Sequence, residues 1–409
     1  MTLSSNRDFR WFWYGQVVSN VGDAFATVAL PLLVLEATGS VTQMGYVTAL
    51  AAGGQIAMSL FAGLVLDRVH RRRLMIATDL GRMILYASLP LAWGFRAHRI
   101  GLIYVVAGAG AAMGNLFSVG NVAAIANLVE KEQLREANSR TQASTALAYV
   151  IGPILAGAIC ARFGTATALC VDAGSFAVSA TSMALVRFGA DEAPSRVNEG
   201  GPIANLLAGF RFVSADRVLR RMQVFMSVIG LMASVGVGAA VIDLFIFRIR
   251  SDLAQSSAMV GVCLGVSALG AAAGAICSPR VGRRWGFAAC FFGGTGLQGV
   301  GMVVGGVLPL VAGAILGGAL WSGGLTLRAV AAISIRQERS PDALLGRTMA
   351  ASWTATFGAA CLGALFVTNL AARAGAGHAL TWVGLALVTA ALVGNARGVG
   401  LTSPATVKR

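Results

Sequence analysis

The chain has 409 residues, 56% of them hydrophobic and only 12% charged, with a mean hydropathy of +0.73. That mixture lies far from a soluble globular protein and excludes one, leaving a polytopic membrane protein. The net charge of +15 would point to nucleic acid in a soluble chain. Here the arginines sit at the ends of apolar segments, so the charge reads as topology and no nucleic-acid partner is expected.

In chain order, apolar segments of roughly 19 to 28 residues, the length that crosses a bilayer, fall at 10–35, 41–66, 74–95, 101–128, 141–163, 166–187, 218–247, 255–278, 287–307, 308–335, 347–371 and 378–396. Twelve spans put both termini on one side. Arg96, Arg99, Arg162, Arg248, Arg250 and Arg373 are the basic residues that fall opposite, so the positive-inside rule places both termini in the cytoplasm. The opening MTLSSNRDFR is polar and the stretch beyond it is long enough to stay as a span, so no cleavable signal is expected.

Span 1 carries Gln16, Asn20, Asp23 and Thr27 at spacings of four, three and four, which sets all four on one helical face. An ionised carboxylate in mid-membrane is costly unless a cavity or a partner compensates it. Asp23 is therefore a candidate for binding a proton or cation, with a structural hydrogen bond to a neighbouring helix as the other reading. Weaker polar sets recur as Thr48, Gln55 and Ser59 in span 2, Asn115 and Ser118 in span 4, and Gln223, Ser227 and Ser234 in span 7. Singly, such residues are more often interhelical hydrogen bonds than ligand contacts.

Between spans 2 and 3 the chain reads GLVLDRVHRRRL, from Gly63 to Leu74. Arg68, Arg71, Arg72 and Arg73 sit beside Asp67, and Gly63 one turn earlier permits another helix to approach closely. The order Gly-x-x-x-Asp-Arg-x-x-Arg-Arg resembles the loop signature between helices 2 and 3 of the major facilitator superfamily, with His70 where that signature usually has Gly. A duplicated six-helix unit predicts a weaker copy. GAICSPRVGRRW, Gly274 to Trp285, supplies Gly274, Arg283 and Arg284, with Ser278 in place of Asp67. The segment SNRDFRWFWYGQVVSNVGD further resembles the opening of the superfamily's enterobactin-exporter and macrolide-efflux branch.

That resemblance implies an all-α integral membrane fold of twelve transmembrane helices in two pseudo-symmetric six-helix bundles. The expected division is 1–187, a cytoplasmic linker with a short interfacial helix at 188–216, a second bundle at 217–396 and a cytoplasmic tail at 397–409. It implies that Asp23 faces a central cavity and that Gln16, Asn20, Thr27, Gln55, Asn115, Ser118, Gln223, Ser227 and Trp321 line it. It groups Gly63, Asp67, Arg68, Arg71, Arg72, Asp79 and Arg82 as a cytoplasmic gate, with Gly274, Arg283, Arg284 and Arg347 as the second-half copy. Gly152, Pro153 and Gly157 in YVIGPILAG look like a reduced form of the span 5 antiporter signature. The Arg that neighbouring exporter branches carry in span 4 is missing from AGAGAAMGNLF, so proton coupling would rest on Asp23 or another acid.

Asp172 and Asp243 are the other carboxylates at membrane depth; Asp243 lies close to Arg248 and Arg250, so an ion pair and a coupling role both stand open. The six cysteines lack metal-type spacing and no metal or cofactor is expected. Neither lysine follows a Gly, which excludes a phosphate loop. Three scattered histidines argue against an enzyme. The expected activity is secondary active export of hydrophobic or amphipathic small molecules from the cell, across the inner (plasma) membrane, in exchange for protons and by a monomer. A facilitator or importer, and a non-transporting receptor or scaffold, are the alternatives.

Overall fold

The computed structural model describes residues 3, 6–66, 69–94, 100–130, 133–187, 201–234 and 239–396. The described residues are almost entirely helical, as a chain surrounded by lipid requires, since only intra-segment hydrogen bonds satisfy every backbone group there. In order the helices are α1 (Arg7–Thr38), α2 (Val41–Leu66), α3 (Arg71–Gly94), α4 (Ile100–Leu128), α5 (Leu134–Phe163), α6 (Thr165–Leu185), α7 (Pro202–Ala215), α8 (Arg217–Ala233), α9 (Ala239–Phe247), α10 (Ser257–Val307), α11 (Val311–Arg339), α12 (Asp342–Ala374) and α13 (Ala376–Ala396). Nine of the described helices are long and apolar enough to cross a membrane, so this is a multi-pass membrane protein.

Two compact units are present. The first holds 1–39 and 50–202; the second holds 40–49 and 203–409. In the first unit α1 starts where Asn6 caps it, accepting from the Phe9 amide while its own amide donates to the Leu128 carbonyl at 2.8 Å. Phe9, Phe12, Met75, Ile125, Met183 and Val186 then bury together beside that start. Higher up, α1 and α6 meet through small residues: a Cβ on Gly22 would lie 2.0 Å from the Ser175 hydroxyl. Van der Waals packing at such close approach substitutes for the hydrophobic drive that lipid does not supply.

One expectation about spans needs correction in the second unit. The segment read as one span at 218–247 is α8 and α9, because Ser234 takes a left-handed φ of 51° and donates its hydroxyl to the Ala360 carbonyl. The segments at 255–278 and 287–307 are two helices, numbered together as α10, that part at Gly286, where φ 79° and ψ 175° break the helical path and let Cys290 Sγ reach the Ser278 carbonyl at 3.7 Å. Gly286 is a residue for which that backbone region carries no steric penalty. The connection from α10 to α11 is only the few residues between Val307 and Val311.

Candidate functional site

The polar face of α1 is built into the first unit rather than left bare. Asp23, at the middle of α1, is paired with the Arg82 guanidinium from α3, and their side chains are 31% and 9% exposed respectively. Arg82 also lies over the Phe176 ring, 3.9 Å from its centroid, a cation–π contact that aromatic faces offer to a desolvated guanidinium. Asp79, Tyr86 and Asp172 are within electrostatic reach of the same guanidinium. Asp79 and Asp172 are both fully buried, and the Asp172 oxygens have no hydrogen-bond partner among the described residues. Three carboxyl groups therefore surround one permanent cation, with only Asp23 part-exposed.

Arg82 does not join the loop arginines with which the gate motif groups it. It stands eleven residues beyond Arg71 on α3, about 16 Å further along at 1.5 Å per residue. Arg72 instead binds the C-terminal end of α6, donating to the carbonyls of Met183, at 3.2 Å, and Ala184. Arg71 is half-buried at the start of α3. Gly63 lies in α2, and Asp67 and Arg68 are outside the described residues.

Other members of the polar set are held by neighbours in the same unit. Gln16 donates to Ser179 at 3.4 Å and accepts from Asn121 at 2.7 Å. Asn20 donates to Thr145 at 3.0 Å, and the Thr27 hydroxyl returns to the Asp23 backbone carbonyl. Gln55 and Asn115 are half-buried and Ser118 is exposed. On α5, Gly152 faces α1, where a Cβ would meet that of Ala24 at 2.5 Å; Pro153 and Gly157 are buried beside it.

In the second unit, Gln223 is buried, donating to Thr356 at 3.2 Å and Ser227 at 3.4 Å. Trp321 is 4% exposed and packs on Phe245, centroids 6.4 Å apart. Gly274 lies against the Gly323 carbonyl, 2.3 Å from where a Cβ would stand, while Arg283 and Arg284 are exposed. The Arg347 carbonyl abuts Gly209 of α7.

Asp243 makes no ion pair with Arg248 or Arg250 among the described residues. It accepts the Thr48 hydroxyl at 2.5 Å. Arg248 turns instead to Asp252 and to the carbonyls of Gly305 and Gly306, and Arg250 to the Gln255 carbonyl. The chain there leaves the α-helical path in a π-helical turn, Arg248–Asp252.

The Major Facilitator Superfamily profile matches residues 12–364. The multidrug efflux pump Tap of Mycolicibacterium fortuitum is 28% identical over 221 residues, 52% of this chain and 53% of that protein. The chain thus spans about half the length of the Tap relatives it matches. The enterobactin exporter EntS of Escherichia coli O81 (strain ED1a) is 25% identical over 397 residues, 94% of this chain and 92% of that protein. Among solved structures, a bacterial homologue of the iron transporter ferroportin in an inward-facing state aligns with a TM-score of 0.70 at 17% identity, covering 98% of this chain and all of that one. A POT family transporter in complex with a thioalcohol-conjugated peptide aligns with a TM-score of 0.75 at 12% identity, covering 97% of each. Those two likenesses are of fold. From the profile match across most of its length, the chain belongs to the Major Facilitator Superfamily.

Proposed function

We propose that this protein exports hydrophobic or amphipathic small molecules across the cell's inner membrane in exchange for protons, as a monomer of twelve spans in two six-helix bundles with both termini in the cytoplasm. The names of the relatives, a multidrug efflux pump and a siderophore exporter, support the direction. Alternating access arises as the bundles rock about a mid-membrane cavity, loaded in turn by substrate and proton.

The observation that carries the coupling is the pairing of part-exposed Asp23 with buried Arg82. Arg82 cannot give up its proton. Asp23 can take one, and doing so releases it from the guanidinium and changes the charge of the α1–α3 contact. The span 3 arginine thereby supplies the cation that span 4 lacks. A substrate entering beside Asp23 favours its ionised, paired form and expels the proton. Asp79 and Asp172, deeper in the unit, hold Arg82 in place while Asp23 is protonated.

Inverted membrane vesicles given a fluorescent dye substrate from outside test the direction. Uptake driven by an imposed proton gradient, abolished in Asp23→Asn, is the expected result. Dye equilibration that ignores the gradient would establish a facilitator instead.

A further inference from the structure

α11 buries two arginines that play no part in the site around Asp23. Arg328 is 1% exposed and Arg336 is 3% exposed. Arg328 Nε donates to Gln298 Oε1 at 3.1 Å and its Nη1 is directed at the Met226 sulfur. Arg336 Nη2 donates to Gln223 Oε1 at 3.4 Å, and its Nε is buried with no partner among the described residues. No carboxylate pairs with either guanidinium among the described residues. Burying an ion costs several kcal/mol after relaxation, and neutral amide and thioether acceptors compensate only part of that.

Both arginines line one cavity of about 210 Å³, shared with Trp353, Phe357, Leu325 and Ala329. This cavity lies wholly within the second unit. Its lining joins two cations that have no carboxylate partner among the described residues to aromatic and aliphatic surface. A guanidinium presents paired donors that match the two oxygens of a carboxylate. The volume is below the ~300 Å³ at which drug-sized pockets begin, so it holds about one ring with its acid group.

We propose that this cavity binds a small aromatic carboxylic acid, the carboxylate held by Arg336 and Arg328 and the ring against Trp353 and Phe357. Gln223 positions Arg336 and is itself fixed by Thr356. The site rests on the export reading only in calling the bound acid cargo; the binding itself does not require it.

Equilibrium binding of radiolabelled benzoate to the full-length protein, in detergent and in phosphatidylcholine nanodiscs, tests the proposal. Benzamide serves as the uncharged isostere. Saturable benzoate binding is expected, at least tenfold tighter than benzamide, falling at least tenfold in Arg336→Gln and several-fold in Trp353→Leu. Arg336→Lys, which keeps the charge but not the fork, falls in between. Size exclusion and melting temperature confirm that each variant is folded, and Trp353→Leu covers a failure of the arginine variants to fold. No saturable binding, equal affinity for benzamide, or full affinity in folded Arg336→Gln overturns the site. Loss of benzoate binding when anionic phosphatidylglycerol enters the nanodisc overturns it in favour of a lipid headgroup. The measurement uses no proton gradient, so its failure leaves the Asp23 mechanism standing, and failure of proton exchange leaves this site standing.

Discussion

Arg82 on α3 and Asp23 on α1 form an ion pair in which the cation is buried and the carboxylate is part-exposed, 9% against 31% by side chain. The guanidinium is shared, because Asp79 and Asp172 lie within its reach. Replacing Arg82 by Gln removes the cation that three carboxyl groups share, and loss of one partner of a buried pair costs about 3–5 kcal/mol. Asp23→Asn costs less, since two carboxyl groups still face Arg82. Melting temperatures of both variants in detergent check this ordering. An Asp23→Asn loss as large as that of Arg82→Gln would show that Asp79 and Asp172 do not share the cation.

The contact of α1 with α6 predicts a second effect. A Cβ on Gly22 would stand 2.0 Å from the Ser175 hydroxyl and 2.6 Å from its Cβ. Gly22→Ala is expected to lower stability by about 1–3 kcal/mol, as overpacking does. Ser175→Gly restores most of it in the double variant, leaving the contact with Asp172 Oδ1 at 2.9 Å, whereas Ser175→Ala, which keeps the Cβ, does not. Equal rescue by both would mean that the hydroxyl alone makes the clash.

Asp216 caps α8, accepting from the Val218 and Leu219 amides at 2.8 and 2.9 Å, and pairs with Arg339 at 2.9 Å. Partial burial opposes its ionisation, yet the Leu219 amide and Arg339 hold the carboxyl below the usual carboxylate range. Asp216→Ala is expected to cost about 1 kcal/mol at pH 7. A depressed carboxyl contributes stability above its unfolded value of 3.8, and this is lost as pH falls through the folded value. The gap between the wild type and the variant therefore closes on acidification below that range. Unfolding followed at pH 7, 4 and 3 checks it; a constant gap would leave the cap without its charge contribution.

Composition and the 63–74 loop made the membrane class and the superfamily legible before any coordinates. The family carries the general fold, but α8 and α9 show what apolar runs conceal. Ser234 to Gly238 reads SVGVG, which hydropathy treats as continuous span although Ser234 breaks the helix by its left-handed backbone. Asp23 stood out because a lone carboxylate on a regular polar stripe is expensive in lipid. Its partner did not stand out. Arg82 follows the loop arginines closely in sequence and is assigned with them, and only the length of α3 separates the two groups in space. Arg328 and Arg336 were hidden in the same way, counted among basic residues of the cytoplasmic side when both are buried in α11.

Exchange of substrate for proton at Asp23 is the step on which the proposed export depends. Its most direct test is proton release from weakly buffered, purified protein in detergent, on addition of macrolides, dyes or siderophores. Release is expected from the wild type with a ligand that binds, and none from Asp23→Asn with that ligand still bound. Saturable binding without release from the wild type, or equal release from Asp23→Asn, would contradict it.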